Sequence, residues 1–254
     1  MPLYTRLSST ALIASLLAPQ IAYADITVDD VWQNYRDYVS VFGSDFTATP
    51  VRDGKTLTVP DLSLQFTLPF GAGGFTVTSS GFSLTEQGDG TVTLAFPNPI
   101  IYGIAMDLTD KGSFSGNLEV SHTGALGTAS GDPGDITYSY SADHMTMALR
   151  DVQAGDLDEV DVAVSAEVSD FEGTTQVAVG NLVTVGGSIN SEAATFAARF
   201  KDPTGAVVNA TGGSDSMSLS NTAALPRGGM DILNLAAAFR DGLSIAVRGI
   251  AYGI

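Results

Sequence analysis

Leu62-Ser63-Leu64-Gln65-Phe66-Thr67-Leu68-Pro69-Phe70 (LSLQFTLPF, residues 62–70) alternates apolar and polar residues almost without a break. A period of two is the mark of a half-buried β-strand. It puts Leu62, Leu64, Phe66, Leu68 and Phe70 on one apolar face and Ser63, Gln65 and Thr67 on the other. Downstream, Phe75 and Val77 restart the pattern, and Phe82 and Leu84 continue it. Gln87-Gly88-Asp89-Gly90 is a hairpin turn from which Val92, Leu94 and Phe96 return. Pro97 and Pro99 then break pairing.

Ile100–Leu108 is more continuously apolar and is expected to be buried on both faces. Phe114, Leu118 and Val120 form a strand with Gly116 as a bulge. Ala125–Asp135 reads as a loop rich in small and polar residues. Ile136–Tyr140 and Met145–Leu149 read as a hairpin around Ala142-Asp143. Val160–Val168 alternates again, and Phe171-Glu172-Gly173 reads as a turn into Thr175–Val179. Val183–Ile189, Ala194–Phe200, Val207–Thr211 and Met217–Leu219 are further strands. Strands recurring every 8–15 residues or so, without helices between them, predict a mainly β fold: a long curved antiparallel meander.

Two helices interrupt this pattern. On a wheel of about 100° per residue, Val28, Val31, Trp32, Tyr35, Tyr38, Val39 and Phe42 fall in an arc of roughly 120°. Asp29, Asp30, Gln33, Asn34, Arg36, Asp37 and Ser40 cover the rest, and only Val41 is out of phase. Thr27 is placed to cap the start and Gly43 to end the helix. A helix this short is marginal alone, so 28–42 must dock on the sheet. Its Trp32, Tyr35, Tyr38 and Phe42 form the stripe that does so. Gly228–Asp241 reads as a second helix with little polar face, expected to be largely buried over the sheet. Residues 25–254 are taken as one domain.

Residues 1–24 have the form of a secretion signal. Arg6 supplies a positive start, Thr10–Ala18 a short apolar run, and Ala22-Tyr23-Ala24 a cleavage motif that leaves Asp25 as the first mature residue. With no cysteine, neither a disulfide nor a lipid-anchored thiol is available. These features predict the periplasm, with the outer membrane or the outside medium as alternatives. The mature chain has no apolar stretch long enough for a transmembrane helix. A net charge of −17, with few and scattered lysines and arginines, excludes nucleic acid as a partner.

Catalytic chemistry finds few components. His122 and His144 are the only histidines, and no nucleophile elbow or zinc motif occurs. Asp156, Asp158, Glu159 and Asp161 crowd one turn, and Asp132 and Asp135 flank another, but neither matches a calcium loop. Gly71–Gly74 lacks the Lys and helix of a phosphate loop. Asp29 and Asp37 lie two turns apart on a solvated face. No catalytic residue, cofactor or metal is assigned.

The order of signal, DVWQNYRDYVSVFG (30–43), RDGKTLTVPDLSLQF (52–66) and GDGTVTL (88–94) resembles domain-of-unknown-function family 2125, secreted proteins of Gram-negative bacteria. The resemblance covers the mature chain from its start and is most specific over residues 25–96. Members of that family are longer, which implies a chain shortened at its C-terminus here. Because the family has no established activity, no site residue is carried over. The pattern is similar to that of periplasmic envelope proteins whose long curved sheets handle lipid or support outer-membrane assembly. The expected function is therefore non-enzymatic: binding a lipid or an envelope partner on the apolar face or edge of the sheet. Two other readings stay open. One is an outer-membrane β-barrel, for which Arg248–Ile254 loosely follows the terminal strand pattern. The other is a hydrolase with an unrecognised site.

Overall fold

The computed structural model describes residues 25–42, 45–68, 72–109, 112–155, 161–201, 204–227 and 235–253. The expected signal segment with Ala22 and Ala24, together with Gly43, Phe70 and Ile254, lies outside them. The described chain is mainly β, a curled antiparallel sheet with one helix before it and a short one near the end of the chain.

Helix α1 (Val28–Ser40) starts where sequence places it. Thr27 accepts from the Asp30 amide at 3.2 Å, and the Asp30 carboxylate accepts from the Thr27 amide at 2.9 Å, closing a capping box. The helix stops at Ser40, two residues short of the expected boundary. Val41 and Phe42 form a turn, which swings the out-of-phase Val41 inward to complete burial. Val28, Val31 and Val39 are also buried. Each such burial contributes roughly 1.5–3 kcal/mol.

The strands are β1 (Asp45–Ala48), β2 (Val51–Asp53), β3 (Thr56–Val59), β4 (Leu62–Leu68), β5 (Gly73–Ser79), β6 (Phe82–Glu86), β7 (Val92–Ala95), β8 (Ile100–Leu108), β9 (Gly112–Thr123), β10 (Leu126–Asp132), β11 (Asp135–Gln153), β12 (Asp161–Val179), β13 (Leu182–Ser191), β14 (Ala193–Lys201), β15 (Val207–Ser214), β16 (Ser216–Pro226) and β17 (Ser244–Tyr252). Every pairing is antiparallel, and many join strands that are not neighbours in sequence.

The long strands β11 and β12 organise this order, because both change partners at the same level. The first part of β11, up to Ser141, pairs with β10; from His144 onward it pairs with β9. Likewise β12 pairs with β14 up to Ser169 and with β13 from Glu172. One wing runs β1-β4-β5-β8-β9 into this ribbon and out through β14-β15. The other runs β2-β3-β6-β7-β10 into it and out through β13-β16-β17.

The partner switch corrects two expectations. Ala142-Asp143 and Phe171-Glu172-Gly173 are not turns; each lies inside a continuous strand. The alternation of inward residues changes phase there, from Tyr138 and Tyr140 to Met145 and Met147, and a phase break looks like a turn in sequence. Asp170 takes a left-handed φ of 48° at that level. Ala125–Asp135 is likewise largely strand β10. Its small residues are a packing requirement, since Ala129 is fully buried opposite Val92 and Tyr138, and a Cβ on Gly127 would crowd Leu94. The expected bulge at Gly116 sits in the opposing strand instead, where the register shifts between Arg150 and Gln153.

Ile100–Leu108 is not buried on both faces. No β8 residue is fully buried, and Ile101 is exposed on the outer side. Helix α2 (Leu235–Arg240) is the described part of the expected Gly228–Asp241 helix, whose residues 228–234 lie outside the description. Ala238 joins the core, but Phe239 is 59% exposed, so the described part is not largely buried. Gly242 ends it with a left-handed φ of 104°. Among the described residues no helix is long and apolar enough to cross a membrane.

Candidate functional site: an apolar cavity under the N-terminal helix

The two wings turn their apolar faces toward each other, and α1 lies between them. Arg52 of β2 fixes the start of the helix, pairing with Asp29 and, at 3.0 Å, with Glu86. Glu86 also accepts from the Val28 amide at 3.3 Å. Arg227 holds the other end through Asp37 at 3.4 Å and the Gly180 carbonyl at 3.3 Å. Asp29 and Asp37 thus serve separate arginines and do not form a carboxylate pair.

The stripe residues Trp32, Tyr35, Tyr38 and Phe42 make ring contacts with one another and with the sheet. Trp32 is half-buried, stacked on Tyr35 at 5.8 Å and packed on Phe46 of β1 and Phe82 of β6. Tyr38 and Phe42 meet edge to face at 5.5 Å and pack against the core. The helix does not fill the space between the wings. A partly open cavity of about 350 Å³ remains, lined by α1, by Leu62 and Leu64 of β4, and by strands of both wings. Among the described residues it has no charged lining. That volume is at the lower end of small-molecule sites, roughly 300–1,000 Å³.

Of the expected apolar face, the structure brings Leu62 and Leu64 into the cavity. Phe66 lies further along the same face, paired with Phe75 of β5 at 5.7 Å, and Leu68 follows it half-buried. The face continues through β8, β9 and β11 into β14, where Phe196 and Phe200 are exposed.

Asn34 was not legible as a site residue. It is 2% exposed, donates to the Val177 carbonyl at 3.0 Å and accepts from the Tyr138 hydroxyl at 2.9 Å. Its signal was angular: it stands about 40° outside the apolar arc, beside Tyr38. Tyr35, Tyr102, Tyr138 and Tyr140 also line the cavity. Burial, and then the nearby phenols of Tyr102 and Tyr38, push the Tyr35 hydroxyl up to about 12. Burial raises Tyr138 and Tyr140 further in the same direction, so all three are neutral donors at ordinary pH.

The catalytic and metal candidates are not brought together. His122 sits on β9 with its ring nitrogen 3.2 Å from the Pro97 carbonyl, and His144 is on β11 opposite Thr123. Asp135 accepts from Gln176 at 2.7 Å. Asp156, Asp158 and Glu159 lie outside the described residues. Among those described, no three His, Asp or Glu side chains gather as a metal site. No protein-family model matches this chain, and neither a curated protein nor a solved structure does.

Proposed function

We propose that this is a non-enzymatic envelope protein of the periplasm that holds an acyl chain in the cavity between α1 and the sheet. The resemblance to domain family 2125 and the secretion signal belong to the same reading. The observation that carries it is an uncharged apolar cavity joined to an apolar sheet face that runs on beyond it. An acyl chain suits such a site because its attraction is non-directional and proportional to buried area. The test is displacement of a fluorescent fatty acyl probe, together with mass spectrometry of lipid extracted from the purified protein. Leu64→Trp, which fills the cavity, should abolish probe binding while the β-sheet circular dichroism stays unchanged. Equal binding by both proteins, or no binding by the wild type, refutes the reading.

A second reading, an envelope protein partner, is favoured by the sheet edges. The described strands β1, β2, β15 and β17 each pair on one side only, so the described sheet is open and not a closed barrel. The first two are short, whereas β17 is nine residues long and exposed throughout, with Val247 66% exposed. Long apolar edges of this kind accept a strand from a partner. Photo-crosslinking from position 247 in whole cells should trap one discrete partner band; its absence removes this reading.

A further inference from the structure

The polar groups of the cavity are built jointly by the helix and both wings. Tyr35 and Tyr38 come from α1, Tyr102 from β8 in one wing and Tyr140 from β11 in the other. All four line the one cavity, and the Tyr140 hydroxyl is raised by burial first and then by Tyr35, Tyr102 and Tyr38. The Tyr138 hydroxyl is engaged by Asn34, but these four have no hydrogen-bond partner among the described residues. Nor are they sealed away. Ser191 Oγ is the one fully buried side-chain oxygen without a partner among the described residues, so each of the four hydroxyls keeps some accessible surface. Neutral donors in a mostly apolar lining, which also carries Thr78, Ser79 and Thr175, suit a head group, because a ligand oxygen that leaves water needs a hydrogen-bond partner.

The charge around the cluster selects the head. The lining has no Lys, Arg or His to meet a carboxylate or phosphate, and the chain as a whole is strongly acidic, at −17. An anion would lose its hydration without gaining a countercharge. A cation would find aromatic faces, but those rings already pack on one another, as Phe82 on Phe96 and Phe96 on Tyr140 do. We infer that the cavity binds an uncharged single-chain amphiphile, a fatty alcohol or ester, whose head-group oxygen accepts from the Tyr102 and Tyr140 hydroxyls, with Tyr35 and Tyr38 beside them. This inference rests on the acyl-chain reading of the same cavity.

The experiment compares octanol, octane, octanoate and octyltrimethylammonium at neutral pH by calorimetry, on the wild type and on Tyr102→Phe/Tyr140→Phe. The double variant keeps both rings and loses two unpartnered hydroxyls, so its thermal stability should match the wild type. If it does not fold, each single variant serves. Octanol should bind most tightly and octanoate most weakly. Each hydroxyl removed should weaken octanol by about 5-fold, which makes about 25-fold for two, and leave octane unchanged. Octane binding as well as octanol, or octanol binding unchanged in the variant, overturns the head-group inference and leaves the acyl-chain reading intact. Tighter binding of octanoate or octyltrimethylammonium overturns it too. Failure of all four ligands to bind refutes the acyl-chain reading, and this inference with it.

Discussion

Asn34→Ala tests whether α1 is locked to the sheet by one buried polar contact. The wild-type side chain makes two hydrogen bonds, to the Val177 carbonyl and the Tyr138 hydroxyl, both inside the core. Each is worth about 1 kcal/mol net, and orphaning a buried partner costs about 1–3 kcal/mol more. One partner has a weak fallback, since the Tyr138 hydroxyl lies 3.5 Å from the Val31 carbonyl. The Val177 carbonyl loses its Asn34 donor outright. The expected loss is therefore about 2–4 kcal/mol, which for a chain of this size lowers Tm by roughly 4–16 °C. Urea unfolding followed by the fluorescence of Trp32, the only tryptophan, measures it on the helix itself. A double-mutant cycle with Tyr138→Phe sharpens the test, because the two changes should be coupled by about 1 kcal/mol. A loss under about 0.5 kcal/mol, or strict additivity, would show that the buried pair does not hold the helix.

Thr27→Ala removes the cap side chain and should cost about 1 kcal/mol by the same unfolding assay, with no effect on ligand binding. For pH, the sign follows from the raised folded-state value of Tyr35, about 12 against an ordinary 10.0. Its contribution is complete below pH 10 and is lost as pH rises through 10 toward 12, by up to about 2–3 kcal/mol. Stability curves across that range, with tyrosinate absorbance followed in parallel, should show the loss. Gly81 has a φ of 77°, and a Cβ there would run into the Val59 and Pro60 carbonyls. Gly81→Ala should therefore lower stability by about 1–3 kcal/mol or more, seen as a drop in Tm, and reduce probe binding because Gly81 lines the cavity.

Much of the fold was legible because period and burial coincide. LSLQFTL alternates, and β4 presents Leu62, Leu64, Phe66 and Leu68 to one side. The Trp32, Tyr35, Tyr38 and Phe42 stripe was readable for the same reason. What misled was local polarity that serves a long-range purpose. Asp143 and Asp170 mark where strands trade partners, and β10 is small because Tyr138 and Tyr140 need room beside it. Local sequence cannot distinguish these from turns and loops, since the cause lies many residues away. The cavity was half legible. Its apolar wall followed from alternation, but the gathering of tyrosines from α1, β8 and β11 depends on pairings that no short window contains.

The β11–β12 ribbon has a mechanical consequence. Both wings share only these two strands where their partners diverge, and a two-stranded ribbon twists more freely than a wide sheet. Bending there changes the angle between the wings without parting any ladder inside either one. Helix α1 travels with one wing, gripped there by Arg52 and Arg227, and meets the other through Phe46 of β1. The width available to a guest is thus set by the hinge and by how closely Phe46 sits against Trp32 and Tyr35 of the helix.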